Sequence, residues 1–381
     1  MRVLFCIQGE GRGHMTQAIA LAEWLRDAGH EVVAALVGNA DGRTPPRFLS
    51  DALACPVEAH ASPVIKLDRD SRSLDVWKTT TFALRRLWTY RRSVAHLEER
   101  IAAWHPDVVV NFYEPLLGLA RHVRVPIVAI AHQYMFHHPR YPFAEGTWFQ
   151  RRSMLTFTRL TSATATRLLA LSLYPGEDLP GHNLRVVPPL LRKELFALTP
   201  RRVEPDYLLV YLWRPELLPE IREWCDDWPR FRVHCFLEHP EKAKDDPIRP
   251  NLTLHHLDAD RFLQMMATCS GVATTAGFET TAEAMYLGKP LLMVPTHIEQ
   301  QCNARDAADM GAAIACPSFD LERLEHITPS DQTAFRAWVA SASEVFIQEL
   351  EQVAGLPTRP DPGKRPQSRA VGVQKFAPVA S

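Results

Sequence analysis

The chain lacks several features that would assign it to a broad class at once. It has only seven cysteines (Cys6, Cys55, Cys225, Cys235, Cys269, Cys302 and Cys316). They are odd in number, scattered, and include no C-x-x-C spacing. That pattern offers no disulfide framework and reads as reduced, mostly buried thiols of a cytoplasmic protein. Charge of one sign is missing too: the formal net charge is −1, so no global field draws the chain to nucleic acid or to an anionic membrane. No run of about 18 apolar residues occurs, so no segment is expected to span a bilayer. The apolar run near the start, Val3–Ile7, is too short for a signal peptide and breaks at once into glycines. There is no convincing internal repeat.

What the chain does have is length and alternation. At 381 residues it is too long for one ordinary core and suits two domains of about 150–200 residues each. Val3–Ile7 reads as a strand buried on both faces of a parallel sheet. A Gly-rich turn, Gln8–His14, follows. Thr16 is placed to cap a helix ending near Ala28, and Glu31–Val37 is the next strand, which completes a βαβ opening. Further strands are predicted at Asp107–Phe112, Val125–Ala131, Arg167–Leu173 and Leu184–Val187. Pro188-Pro189 and a polar stretch to Asp206 read as a connection. The alternation then restarts, with strands at Tyr207–Leu212, Arg232–Leu237, Asn251–His256, Gly271–Thr274 and Pro290–Val294. Helices are predicted at Glu216–Asp227, from a cap at Asp260 to Thr268, at Thr280–Leu287, and over Thr333–Val353, the last long enough to cross between domains. The expected fold is α/β: two doubly wound Rossmann-like domains, 1–192 and 193–354, facing a central cleft at the carboxyl ends of their strands. The tail 355–381, rich in Pro, Arg, Gln, Ser and Gly, is expected to be disordered.

The most informative stretch runs from Thr274 to Glu283, Thr-Thr-Ala-Gly-Phe-Glu-Thr-Thr-Ala-Glu. It is a strand end, a turn at Gly277, and a helix that opens in hydroxyls (Thr280, Thr281) with Glu283 one turn in. Free N–H groups at a helix N-terminus attract phosphate oxygens, and a carboxylate on the same helix can take both hydroxyls of a ribose. The next strand end supplies Glu299 and Gln300, an acid and an amide suited to sugar hydroxyls. Arg214, at the end of the second half's first strand, is placed to pair with a diphosphate. Together these residues point to a nucleotide-sugar site.

In the first half the turn Gly9-Glu10-Gly11-Arg12-Gly13-His14 is not a dinucleotide fingerprint, because His14 stands where the third glycine is needed. The following strand also ends in Val37-Gly38-Asn39, without an acid for a ribose. Gly11 and Gly13 leave backbone free to approach a ligand, and His14 is suited to take a proton from an alcohol. Glu114, just past another strand, is the candidate carboxylate to orient that base. His132 and Gln133 end a further strand and are expected on the acceptor side of the cleft, with His132 either lining it or serving as a second base. No metal site is expected: His137-His138 point apart on an extended loop, and neither Asp68-Arg69-Asp70 nor Asp258-Ala259-Asp260 makes a persuasive pair, the latter reading as a helix cap.

These residues resemble the inverting GT-B glycosyltransferases, over most of residues 1–345. The pattern is most similar to members with a family-28-type C-terminal domain, such as the enzyme that adds N-acetylglucosamine in peptidoglycan lipid synthesis, and to their poorly characterised bacterial and archaeal relatives. The resemblance implies an acceptor-binding N-terminal domain and a donor-binding C-terminal domain. It implies phosphate contacts at Thr280, a ribose grip by Glu283, donor-sugar contacts from Glu299 and Gln300, and His14 as base. Glu114 falls in a stretch similar to the Asp-Phe-Glu-Pro of the poorly characterised group, with Asn111 in place of the first acid. Thr275 stands where plant-type members carry a phosphate-binding histidine. Two glutamates eight positions apart, the retaining pattern, are absent, since Glu279 and Glu283 are one helical turn apart.

The expected activity is therefore metal-independent, inverting transfer from a nucleoside diphosphate sugar, UDP-linked by resemblance, to a hydroxyl of a small-molecule, glycan or lipid-linked acceptor, with no cofactor. A non-hydrolysing nucleotide-sugar epimerase and a non-catalytic nucleotide-sugar-binding protein are the alternatives. Variable loops near 60–80 and 134–150 are expected to build the acceptor pocket. Basic stretches Arg85–Arg92 and Arg151–Arg167, interleaved with Trp88, Tyr90, Phe149 and Phe157, offer peripheral contact with the inner face of a membrane, although packed helix faces with solvated arginines are the simpler reading.

Overall fold

The computed structural model describes residues 1–64, 81–82, 84–143, 148–201, 203, 206–238, 244–328 and 331–357. Asp68-Arg69-Asp70 and the tail beyond 357 lie outside the described residues. Two seven-stranded sheets form the frame. The first contains β1 (Arg2–Gln8), β2 (Glu31–Asn39), β3 (Val57–Ala61), β4 (Val108–Phe112), β5 (Ile127–Ala131), β6 (Arg167–Leu171) and β7 (Leu184–Val187). Its order is β3-β2-β1-β4-β5-β6-β7, and every neighbouring pair is parallel. The second contains β8 (Leu208–Tyr211), β9 (Val233–Phe236), β10 (Asp245–Arg249), β11 (Leu252–His255), β12 (Gly271–Thr274), β13 (Leu291–Met293) and β14 (Ile314–Ala315). Its order is β10-β11-β9-β8-β12-β13-β14, parallel except for the β10–β11 pair.

The central strands are apolar runs because both faces are covered. Val3 to Ile7 are fully buried, as are Val108 to Val110 and Val272 to Ala273. Burial of each such aliphatic side chain contributes about 1.5–3 kcal/mol. In both sheets the chain direction reverses about the first strand: β2 and β4 flank β1, and β9 and β12 flank β8. Those two switch points are where crevices open beyond the strand ends. The residues leaving the switch strands are held in an uncommon conformation, with Tyr113 after β4 at φ 61° and Ala276 after β12 at φ 63°. Backbone held in the left-handed region by a non-glycine residue persists only where its surroundings impose it.

Several local expectations shift. The first helix begins at Gly13, not Thr16, and has Arg12 at its N-cap with no side-chain cap bond. Asp258, not Asp260, caps the helix Ala259–Thr268 by accepting from the Arg261 N–H at 3.0 Å. The strands that pattern reading did not foresee are edge strands. β3 mixes Glu58 and His60 with alanines, and β10 is Asp-Asp-Pro-Ile-Arg, a charged, proline-bearing edge.

The final helix returns to the first sheet. The expected single helix Thr333–Val353 is two, Thr333–Ala340 and Ala342–Val353. In the second, Phe346 packs on Trp24 with ring centroids 6.1 Å apart, Glu349 pairs with Arg167 at 3.0 Å and with Arg185, and Glu351 meets His30 at 3.0 Å. The expected 193–354 unit thus does not end on its own sheet, because an apolar and acidic helix face finds its partners on the first. One continuous apolar cluster runs from Val3 and Phe5 through Leu190, Leu191 and Phe346 to Leu209 and Met285, so the two halves share a core. Among the described residues no helix is long and apolar enough to cross a membrane. Of the aromatics in the basic stretches, Trp88 and Phe149 are exposed while Tyr90 is buried.

Candidate active site between the two sheets

A cavity of about 310 Å³ lies between the two switch points, within the size range of small-ligand sites. From the first sheet it receives the turn after β1. Gly9 is pressed against the second strand, its N–H donating to the Gly38 carbonyl at 2.7 Å, and a Cβ there would lie 2.9 Å from that oxygen. Gly11 takes φ +83°, a conformation that suits glycine. A Cβ on Gly13 would meet the Glu279 carboxylate of the other half at 2.6 Å. The glycines therefore let this turn come up against the second unit.

His14 lines the cavity and stacks on Tyr113, centroids 5.5 Å apart. Its Nδ1 lies 3.3 Å from Gln17 Oε1. As the amide oxygen can only accept, this contact assigns the proton to Nδ1 and leaves Nε2 as an acceptor. Desolvation first, then the neighbouring His132, pushes the His14 pKa down to about 4, against the opposing pull of Glu299 and Gln17. Neutral imidazole is thus the resting form.

From the second sheet the cavity receives the turn after β12. Gly277 is the N-cap of the helix Phe278–Tyr286, and a Cβ there would meet nothing within 4 Å. Thr280 and Glu283 on that helix line the cavity, as do Arg214, Glu299 and Gln300. Phe278 stacks flat on His132, with centroids 4.7 Å apart and planes 5° apart. Glu299 reaches across to the first unit, 3.1 Å from His132 Nε2 and accepting from Gln133 Nε2 at 3.2 Å. Burial alone would raise the Glu299 carboxyl, but His132, His297 and His14 around it bring it down to about 2. Gln300 accepts from the Thr296 N–H and hydroxyl at 2.9 and 2.8 Å. Glu283 is bound by Arg192, whose Nη2 and Nε donate to Oε1 at 2.7 and 3.1 Å.

Of the residues expected from sequence, the cavity brings together His14, Gly11, Gly13, His132, Gln133, Arg214, Gly277, Thr280, Glu283, Glu299 and Gln300. Two do not join them. Glu114 is fully buried, accepts from the Ser62 hydroxyl at 2.6 Å and the Leu116 N–H at 3.1 Å, and caps the short turn Pro115–Leu119. Beyond β4 the chain turns through the left-handed Tyr113 (φ 61°), and the two side chains part: Tyr113 stacks on His14, while Glu114 lies next to Cys6. Glu114 is therefore not the carboxylate of His14; the acid whose charge acts on that imidazole is Glu299. Thr281 is also fully buried, and its hydroxyl donates to the Gly277 carbonyl at 2.8 Å. It closes its own helix turn rather than facing a ligand.

The cavity also holds residues that the sequence reading left out: Arg12, Tyr113, Arg192, Trp213, Glu279 and His297. Arg12 sits inside the glycine turn, and Glu279 and His297 inside the two second-half motifs, so strand-end position was a usable signal for all three. Arg192 lies in the connection, where nothing local marks it. Among the described residues no group of three His, Cys, Asp or Glu side chains is arranged to hold a metal ion.

The model of glycosyl transferase family 1 matches residues 1–329. No curated protein matches in sequence. Among solved structures, the glycosyltransferase of kitacinnamycin superposes with TM-score 0.62 at 16% identity, covering 93% of this chain and 99% of the other. Arabidopsis thaliana UGT89C1 complexed with quercetin gives 0.59 at 15%, covering 93% and 98%. Acinetobacter baumannii MurG gives 0.53 at 15%, covering 92% and 99%. At these identities the likeness is one of fold, the GT-B arrangement.

Proposed function

The chain belongs to glycosyl transferase family 1, and from that membership we propose a metal-independent, inverting transfer of a sugar from a nucleoside diphosphate sugar, with UDP as carrier, to a hydroxyl of a small-molecule, glycan or lipid-linked acceptor. The observation that carries the proposal is one cavity with opposed chemistry on its two walls. On one side a helix N-terminus presents Gly277 and Thr280 with Arg214 close by; on the other stands a neutral histidine.

In this reading the diphosphate lies at the tip of the helix Phe278–Tyr286, where N–H groups and the helix dipole favour negative charge. Glu283 meets the ribose, and Glu299 and Gln300 meet the sugar. The acceptor oxygen attacks the anomeric carbon from the face opposite the diphosphate and passes its proton to His14 Nε2. The bond between the anomeric carbon and the phosphate oxygen breaks, and its electron pair leaves with the nucleoside diphosphate, stabilised by preorganised donors. Glu299, ionised and near His14, favours the imidazolium as it forms.

Incubation with a panel of labelled nucleotide sugars, with and without a chelator, tests this. The expected result is transfer or slow hydrolysis that survives chelation and yields a product of inverted anomeric configuration. Chelator-sensitive turnover, a retained anomer, an epimerised donor or binding without turnover each removes the corresponding part of the proposal.

A further inference from the structure

Three arginines line the cavity, and only one is neutralised. Arg192 is held by Glu283. Arg12 and Arg214 have no carboxylate partner among the described residues: Arg12 donates to the Leu257 carbonyl at 3.4 Å and lies 5.0 Å over the Phe48 ring, and Arg214 lies 4.6 Å over Trp213. The cavity's acids are engaged elsewhere. Glu10 accepts from the Ala40 N–H, Asp258 caps its helix and faces Lys244, Glu279 accepts from Gln17, and Glu299 meets His132 and Gln133.

The two guanidiniums without a carboxylate partner come from opposite units, where the Trp213 indole lies against the glycine turn. A Cβ on Gly11 would lie 3.8 Å from Trp213 Nε1; Arg12 follows Gly11 in the first unit, and Arg214 follows Trp213 in the second. Arg12 also reaches over to the second unit, since Leu257 precedes the helix Ala259–Thr268. Two like charges facing one cavity repel when it is empty and are compensated by a ligand carrying two or more negative charges.

We propose that Arg12, from the first-unit glycine turn, and Arg214, from the second unit, clamp the diphosphate between them, so that charge neutralisation of the leaving group is complete only when the two units are closed. Arg12 is thus a further catalytic residue. The inference rests on the nucleotide-sugar reading and assigns to the acceptor-side unit a direct role toward the donor. Arginine suits the task because its planar fork meets phosphate oxygens in pairs, and it stays charged.

The test is calorimetric titration of the full chain with UDP, TDP and GDP, and with uridine, thymidine and guanosine. Wild type is compared with Arg12→Ala, Arg12→Gln, Arg12→Lys and Arg214→Ala, with melting curves to confirm folding. For the diphosphate that binds wild type, Arg12→Ala and Arg12→Gln are expected to lose about tenfold to a hundredfold in affinity. Affinity for the parent nucleoside should stay within about twofold, and Arg12→Lys should recover part of the loss. Transfer by Arg12→Ala should fall in kcat by more than its donor KM rises. Folded variants that bind the diphosphate as wild type does overturn the clamp while leaving the donor site standing. A wild-type chain that binds no nucleoside diphosphate overturns both.

Discussion

Replacing Glu283 by alanine separates two jobs that its position would have it do. In the structure its carboxylate receives two donors from Arg192, with side-chain exposures of 4% and 12% for the pair. Removing the carboxylate strands a buried guanidinium, which costs about 3–5 kcal/mol where such a pair is fully desolvated. If Glu283 also accepts from the ribose, each charge-assisted bond lost there removes about 1.5–3 kcal/mol of binding, roughly tenfold to a hundredfold in Kd. The assay is a cycle between protein and ligand: UDP and 2′-deoxy-UDP are titrated into wild type, Glu283→Ala, and Glu283→Ala with Arg192→Met. Wild type should prefer the ribonucleotide by about tenfold, and Glu283→Ala should show no preference. The double variant should regain melting temperature, because it no longer buries a lone cation, but not the preference. An undiminished preference in Glu283→Ala would refute the ribose contact and leave Glu283 as a structural partner of Arg192 alone.

Four other outcomes are expected. His14→Ala should lower kcat by at least about a hundredfold while leaving nucleoside diphosphate affinity unchanged, and turnover within a few-fold of wild type rules out the base. The His14 pKa is lowered to about 4. The folded state therefore binds fewer protons than the unfolded one between about pH 6.5 and 4, and stability conferred by His14 is lost as pH falls through that window; a melting series of wild type against His14→Gln checks the slope. Asp306 behaves in the opposite sense: burial first, then Asp309, raises it to about 7 despite its bond to Tyr174, so its contribution is present at low pH and falls as pH rises through 7, by on the order of 4 kcal/mol. Asp306→Asn should melt higher than wild type at pH 8 and match it near pH 4, and identical pH profiles for the two contradict this. Gly277→Ala should fold normally, since its Cβ meets nothing within 4 Å, yet weaken nucleoside diphosphate binding by crowding the helix tip; an unchanged Kd shows that the tip is not the phosphate seat.

Much of this molecule is written locally. Apolar runs such as Val3–Ile7 and Gly271–Thr274 can only be buried strands, and their alternation with helices specifies two parallel sheets. A parallel sheet opens its crevices at the carboxyl ends of its strands, so His14, His132, Arg214, Gly277, Thr280, Glu283, Glu299 and Gln300 could all be named from strand ends alone, and the cavity holds every one. Partner choice is a different kind of information. Whether Tyr113 or Glu114 turns to His14 depends on the left-handed turn that follows β4, with Tyr113 at φ 61°. Glu283 is held by Arg192, 91 residues away, Glu299 by His132 and Gln133 of the other half, and Glu349 by Arg167 and Arg185. Arg12 reaches the second unit, where it donates to the Leu257 carbonyl, 245 residues away. Periodicity and backbone chemistry act over one or two turns of chain and settle which face is buried. Which charges meet across a cleft is decided when distant segments pack, since a desolvated charge accepts whatever opposite charge or dipole the packed neighbours bring within reach.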